Sequence, residues 1–318
     1  MVANGSLRVV FFGTPEFAVP TLEALLASSY EVVAVVTQPD RPRGRGHKTT
    51  ASPVKATALA AGRPVMQPDS VKDEPFLYEL SRLAPDLGVV AAYGQILTNA
   101  ALVIPRLGMI NVHASILPAY RGAAPVHRAV INGEAETGVT IMRVVKALDA
   151  GPMLAVARRP IDVFETSEDL ERDLATIGAA LLVSTIPGLA AGTVVERPQD
   201  NSAATYAPRL TKEDGLIDWA WPAERIHNLI RGLHPWPHAT SFLGSQRLIL
   251  HRSRPAPDPV HDRPGVIVEA LGDRLLVATG LGGLDILEIQ PEGKRPMSIR
   301  EFLSGHPVGP FVNFSASP

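Results

Sequence analysis

The stretch Leu7-Arg8-Val9-Val10-Phe11-Phe12-Gly13-Thr14-Pro15-Glu16-Phe17-Ala18 decides the fold. An unbroken run of β-branched and aromatic residues reads as a strand buried on both faces. The turn at Gly13 and Thr14 leads into a helical segment, residues 15–27, with proline near its start, where a missing amide costs nothing. The unit then recurs: apolar runs at residues 32–37, 87–92, 109–113 and 139–145 alternate with helical segments at 53–61 and 76–83. This alternation predicts a parallel sheet covered by helices, an α/β doubly wound domain of Rossmann-like type.

Beyond residue 170 the pattern changes. Residues 174–195 carry no formal charge and approach the length of a membrane span. Leu170, Leu174, Ile177 and Leu181 nevertheless follow one-sided helical spacing, Thr166 and Asp169 resemble an N-cap, and Pro187 is expected to stop the helix. A buried helix is therefore expected. Residues 191–208 are rich in Gly, Pro, Asn, Asp and Ser and read as a connection. Short strands at 247–251, 266–269, 275–278 and 286–289, without long helices, then suggest a small C-terminal β-barrel of OB-like type. The expected division is 1–190, a linker at 191–208, and 209–318.

Composition narrows the function. The chain has 318 residues, 46% hydrophobic and 19% charged, with a formal net charge of −2, which excludes a disordered tail. It has no cysteine, which removes disulfides, thiolate nucleophiles and cysteine metal sites together. The first six residues are short and polar with no signal-length apolar core, so a cytoplasmic enzyme is expected. From Arg209 onward 12 Lys and Arg face 12 Asp and Glu, leaving 18 against 20 before it. Nucleic-acid binding would therefore rest on local patches, such as Arg247, His251, Arg252 and Arg254, and not on bulk attraction. The turn after the first strand lacks G-x-G-x-x-G, and no G-x-x-x-x-G-K-[ST] occurs, so dinucleotide and nucleoside triphosphate binding are unsupported. The nine histidines show no H-E-x-x-H spacing, and no metal is expected.

In parallel sheets, ligands bind beyond the carboxyl ends of strands. Asn111 and His113 are two apart on such a strand and project to one face, with Val112 behind them. One reading makes Asn111 a turn cap and His113 a donor to a backbone carbonyl; the other makes both functional. A proline-stiffened loop, Ser115-Ile116-Leu117-Pro118, follows and leads to Arg121-Gly122-Ala123-Ala124-Pro125. Downstream, Leu148-Asp149-Ala150-Gly151 places an acid before a glycine turn, which is either a turn former or a partner for the histidine.

Together, Asn111, His113, the loop to Pro118 and the Leu148–Gly151 run resemble the core of the folate-dependent formyltransferase family. The resemblance covers nearly the whole chain. The family commonly has Gly-Ser-Leu-Leu-Pro after its histidine, where this chain has Ala114 and Ile116, and often Asp where it has Pro152. Further matches include Phe12-Gly13-Thr14-Pro15, the run from Thr37 to Gly46, Glu136 to Met142, and Pro235-Trp236-Pro237. These resemble the branch that formylates charged initiator methionyl-tRNA. The resemblance implies catalysis by Asn111, His113 and Asp149, with 10-formyltetrahydrofolate as donor and no metal. It implies folate contacts from Tyr93, Gln95, Ile96, Leu97, Ser115, Ile116, Leu117 and Pro118. It also implies tRNA contacts from Arg41, Arg43, Arg45 and Lys48, in a run flexible without RNA, while the basic patch on the barrel adds Arg247 and Arg252. A monomer without membrane association is expected.

Chemically, amine attack on a formyl group develops an oxyanion and a surplus proton on nitrogen. Asn111 offers a neutral donor, His113 can donate as imidazolium or relay the proton, and Asp149 would orient it. Two rivals remain open. One is a formyltransferase acting on a ribonucleotide amine or amino sugar, or a hydrolase releasing formate; the other is a nucleotide- or RNA-binding module without turnover.

Overall fold

The computed structural model describes residues 6–43, 48–306, 308 and 312–317. β1 (Arg8–Gly13) leads through a 3-10 turn into α1 (Val19–Leu26) and β2 (Glu31–Val36). The short strands β3 (Arg41–Arg43) and β4 (Lys48–Thr50) precede α2 (Pro53–Ala60), β5 (Val65–Met66) and α3 (Glu74–Arg82). Then come β6 (Leu87–Ala91), α4 (Asn99–Leu102), β7 (Met109–His113), β8 (Arg121–Gly122), α5 (Pro125–Ile131), β9 (Glu136–Arg143), β10 (Met153–Pro160) and α6 (Ser167–Ala190).

Seven strands form one sheet in the order β10-β9-β7-β6-β1-β2-β5. Val9, Val10, Phe11 and Phe12 have no exposed surface, as a central strand requires. The strands from β5 to β7 pair in parallel, but β9 is antiparallel to β7, with Asn111 opposite Met142 and His113 opposite Thr140. The sheet is therefore mixed, where sequence alternation implied parallel pairing throughout. The segment between β7 and β9 that holds α5 groups with the other compact unit, in which α5 packs on another helix, so the connection is not a βαβ crossover within one unit.

Thr166 and Asp169 open α6 reciprocally: the Thr166 hydroxyl donates to the Asp169 carboxylate at 2.7 Å, and the Asp169 amide donates back to that hydroxyl at 3.2 Å. Contrary to expectation, Pro187 does not stop the helix. It falls in the last turn, where the helix gives up a single bond before ending at Ala190. α6 is long and apolar enough to cross a membrane by length and composition, yet Leu170, Leu174, Leu182 and Ile186 are fully buried in the protein. Ile177 and Leu181, expected on the buried face, are only half-buried. Gly178 makes the close contact instead, since a Cβ there would lie 2.7 Å from Val112 Cγ1 and 3.2 Å from Val139 Cγ1.

After β11 (Tyr206–Ala207) come α7 (Ala223–Gly232), β12 (Ala239–Leu243), β13 (Gln246–Pro255), β14 (Ile267–Leu271), β15 (Arg274–Ala278), β16 (Gly283–Pro291), β17 (Met297–Ser298), α8 (Ile299–Gly305) and β18 (Phe314–Ser315). Six strands form a curled antiparallel half-barrel in the order β14-β15-β16-β13-β12-β18, with β17 beside β16. This part is richer in helix than the sequence suggested: α7 buries Ile226, Leu229 and Ile230 against the core made with Leu248, Leu250, Leu284 and Ile289.

The chain divides into two compact units that interleave in sequence. The first comprises Met1–Gly122, Thr137–Arg159 and Glu171–Tyr206; the second Ala123–Glu136, Pro160–Leu170 and Ala207–Pro318. Of residues 191–208, read as a connection, 191–206 group with the first unit, held there by paired backbone bonds between Met153 and Arg197 at 2.8 and 2.9 Å.

Candidate active site

Four adjacent parallel strands, β2, β1, β6 and β7, bring their carboxyl ends into a row. Thr37, Thr14, Tyr93 and Ala114 lie just past those ends. The Thr14 hydroxyl donates to the Tyr93 carbonyl at 2.9 Å and accepts from the Gln38 amide at 3.3 Å, while Gln38 Nε2 reaches the same carbonyl at 3.3 Å. These bonds fix the loop after β6, in which Ala92 and Gly94 have φ of 45° and 87°.

His113 ends β7 and is 5% exposed. Its Nε2 lies 3.0 Å from the Tyr120 carbonyl. A carbonyl can only accept, so in the neutral ring the proton belongs on Nε2 and Nδ1 carries the lone pair. Nδ1 faces Asp149 Oδ2 at 3.7 Å, too long for a hydrogen bond but short enough for charge attraction once the ring is protonated. The same carboxylate oxygen accepts the Gly122 amide at 2.8 Å. Asn111 lies two residues earlier on the same strand and is partly exposed.

The loop after His113 is held from within. The Ser115 hydroxyl donates to the Ala119 carbonyl at 2.6 Å, and Thr140 on β9 donates to the Ser115 carbonyl at 2.7 Å while accepting the Leu117 amide at 3.2 Å. The Leu117–Pro118 peptide is cis. Asp149 has φ of 46°, a left-handed conformation that Asp tolerates more readily than most residues. Its turn is pinned by Gln199, whose Nε2 donates to the Asp149 and Gly151 carbonyls, both at 2.8 Å. Buried Arg121 in turn holds Gln199 Oε1 through Nε and Nη2 at 3.0 and 2.7 Å. Thr14, Gln38, Thr140 and Gln199 were missed in the sequence. Thr14, Gln38 and Thr140 fall within runs that carry the family resemblance, but their spacing singles out no role for them, and Gln199 is 50 residues from the turn it fixes.

The residues assigned to folate divide by exposure. Tyr93, Leu97, Ser115 and Leu117 are buried, Gln95, Ile116 and Pro118 are half-buried, and Ile96 is exposed. Gln95 already accepts the Val71 amide at 3.3 Å. Tyr93 packs edge-on to Phe12, its hydroxyl buried with no hydrogen-bond partner, and burial pushes its ionisation up to about 12.

Among the basic residues, Arg41 and Arg43 lie on β3 and Lys48 on β4; the two strands pair, Arg41 with Thr50 and Arg43 with Lys48, so the flanks of this run form a short antiparallel ribbon. Arg45 lies outside the described residues. Asp40, at the ribbon's base, bonds Lys55 Nζ at 2.5 Å and Gln67 Nε2 at 2.7 Å, and those bonds hold its carboxyl below the usual range. On β13, bulges around Arg252 leave both Arg252 and Arg254 exposed. Arg247 pairs with Glu292 at 3.4 Å, and Arg254 with buried Asp285 at 3.2 Å. His251, expected in this surface patch, is instead buried. A cavity of about 620 Å³ in the second unit, lined in part by Arg128, Trp221 and Arg225, contains none of these groups, and its charges are already engaged: Arg128 pairs with Asp214 at 3.0 Å and Arg225 stacks on Trp221.

Residues 7–186 match the formyl transferase family and 209–307 the formyl transferase C-terminal domain. Methionyl-tRNA formyltransferase of Moorella thermoacetica is 47% identical over 96% of this chain and 98% of its own length. The protein of that name from Caldanaerobacter subterraneus subsp. tengcongensis is 49% identical over 95% of this chain and 98% of its own length. Among solved structures, an N-formyltransferase from Helicobacter canadensis, in complex with folinic acid and dTDP-3-aminofucose, shares the fold with a TM-score of 0.67 at 19% identity, covering 90% of this chain and 99% of that one.

Proposed function

The chain belongs to the formyl transferase family, and we propose that it transfers the formyl group of 10-formyltetrahydrofolate to the α-amino group of methionyl initiator tRNA, acting as a cytoplasmic monomer. The observation that carries this reading is the 47–49% identity to methionyl-tRNA formyltransferases across both parts of the chain, against 19% for the enzyme crystallised with an amino sugar nucleotide.

The assignment of roles rests on the geometry beyond β7. The attacking amine forms a C–N bond to the formyl carbon while the bond from that carbon to the carrier nitrogen breaks. Negative charge develops on the formyl oxygen, and Asn111, two residues before the end of β7, supplies a fixed donor for it. The amine proton goes to His113 Nδ1, the ring atom left with a lone pair by the bond to Tyr120. Asp149 then stabilises the imidazolium it faces at 3.7 Å, and the proton returns to the departing carrier nitrogen. The row of strand ends from Gln38 to Ser115 is assigned to the carrier, with Ile96, Ile116 and Pro118 offering side-chain surface and Tyr93, Gln95, Leu97, Ser115 and Leu117 shaping the wall. Arg41, Arg43, Arg45 and Lys48, with Arg247 and Arg252 on the barrel, are assigned to tRNA phosphates. Residues 1–190 would hold the carrier site and 209–318 contact the tRNA, joined by 191–208.

Purified protein incubated with charged initiator tRNA and 10-formyltetrahydrofolate should yield formylmethionine on the tRNA. Formylation of a free nucleotide-linked amino sugar in preference to charged tRNA, or formate release alone, would overturn the assignment.

A further inference from the structure

Three histidines of the second unit, His234, His238 and His251, converge, each offering a ring nitrogen within 4.8 Å of the others. Their ring centroids are 4.6, 5.5 and 6.4 Å apart. Two of the rings have their outer nitrogens engaged by acceptors. His234 Nε2 faces Glu168 Oε2 at 3.2 Å, and His251 Nε2 faces Gln290 Oε1 at 2.8 Å. The Gln290 amide is itself fixed, because its Nε2 donates to the Lys294 carbonyl at 2.7 Å. Both histidines must therefore carry their protons on Nε2, which leaves a lone pair on each Nδ1. His234 Nδ1 is buried with no hydrogen-bond partner. His238 has φ of 68°, a backbone conformation that glycine would adopt at no cost.

We infer that His234, His238 and His251 bind one divalent transition-metal ion of the zinc class, through Nδ1 of His234 and His251 and one ring nitrogen of His238. Metal-bound imidazole characteristically donates its second N–H to a carboxylate or carbonyl oxygen, and Glu168 and Gln290 stand in those positions. The buried, unpartnered Nδ1 of His234 is what a ligand atom looks like before it coordinates, whereas a histidine kept only for packing would have that lone pair satisfied. An all-imidazole set suits Zn²⁺ or Ni²⁺ and is wrong for Mg²⁺ or Ca²⁺, which take oxygen ligands. Tetrahedral zinc, with bonds of about 2.0–2.1 Å, spaces its nitrogens roughly 3.3 Å apart, so the rings close by about an ångström or so on binding, with the fourth position left to water. His234 and His238 are four apart but on no helix, and His251 lies on β13, so helical zinc-motif spacing does not reveal the set.

The test is calorimetric titration of the untagged, chelator-stripped full chain with Zn²⁺, together with Co²⁺ as a coordination-sensitive visible chromophore. One ion per chain at micromolar or tighter affinity, tetrahedral Co²⁺ bands and a higher thermal midpoint are expected. His238→Gly removes a ligand at a position whose backbone suits glycine, so the fold should survive while affinity falls by about 100-fold or more; Glu168→Gln, altering only the outer partner, should cost about 10- to 100-fold. His251→Gln provides a second ligand variant should His238→Gly misfold. Failure of the wild-type chain to bind stoichiometrically, or binding unchanged in a folded His238→Gly or His251→Gln protein, would overturn the assignment.

Discussion

Two buried histidines, one in each unit, differ in how their ring nitrogens are used. His113 commits Nε2 to the Tyr120 carbonyl and leaves Nδ1 facing Asp149 at 3.7 Å. His227 commits both: Nε2 to the Val163 carbonyl at 2.8 Å and Nδ1 to Ser253 Oγ at 3.1 Å. Their burial is nearly the same, 5% and 7% exposed. The difference teaches that a buried histidine is available for chemistry when one nitrogen is left unspent, and is structural when both are bonded. It also ties function to position, since His113 ends a strand beside an open row of loops, whereas His227 lies mid-helix in α7, under β13.

The strongest challenge to this contrast is to remove each ring in turn. His113→Ala, and likewise Asn111→Ala and Asp149→Ala, should lower kcat by about 10² to 10³, the usual order of cost for losing a proton-transfer group, its charge partner or an oxyanion donor, with little change in thermal midpoint. His227→Ala should do the reverse. It leaves Ser253 and the Val163 carbonyl unpaired and opens a cavity, lowering stability by about 2–4 kcal/mol in denaturant titrations while kcat stays near normal. If His227→Ala abolished turnover in a stable protein, the distinction by spare valence would fail.

A finer version uses pH. Burial, as the largest influence, holds His227 below its ordinary 6.5, so the fold binds it neutral. A group depressed in this way contributes stability above 6.5 that is lost as pH falls toward its folded value. The thermal midpoint of the wild type should therefore fall on acidification below pH 6.5, and His227→Gln should flatten part of that fall. The smallest expected effect is at Tyr93, whose hydroxyl is a buried polar group with no partner in the first unit. Tyr93→Phe should leave stability within about 1 kcal/mol of wild type, or raise it, because nothing is unpaired by the change. A several-fold rise in KM for the folate donor would show that the hydroxyl is kept for the carrier.

Much of this was readable from local pattern and the rest was not, for physical reasons. β7 spans the five residues expected, because a short, mostly apolar run bounded by Gly108 and the Ser115–Pro118 loop reads as a strand buried on both faces. The antiparallel turn of β9 escaped notice because strand direction depends on where α5 packs, which is a tertiary matter. α7 was passed over although Ile226, Leu229 and Ile230 carry helical spacing, since its ten residues lie between Pro222 and the proline-rich run at 235–237. The polar shell is the least legible layer. Asp149 was visible as an acid before a glycine, but the hold exerted on it by Gln199 and Arg121 joins residues 50 and 78 positions apart, and no sequence window contains both ends. Pairing of the ribbon around Arg41 was likewise hidden by glycines and arginines that have no strand preference.

The interleaving of the two units also sets an order of events during synthesis. α5 leaves the ribosome well before α7, against which it packs; a Cβ on Gly232 of α7 would come within 2.6 Å of Ile131 Cγ1. The roughly 90 residues between them, made at about 5–20 residues per second, keep the side of α5 that meets α7 uncovered for roughly 5–20 s. The last two strands of the first sheet, β9 and β10, are translated within that interval, so the nascent chain carries a finished set of sheet strands and a waiting helix at the same time. That helix is the segment a chaperone would meet, and release from the chaperone would be timed by the arrival of α7.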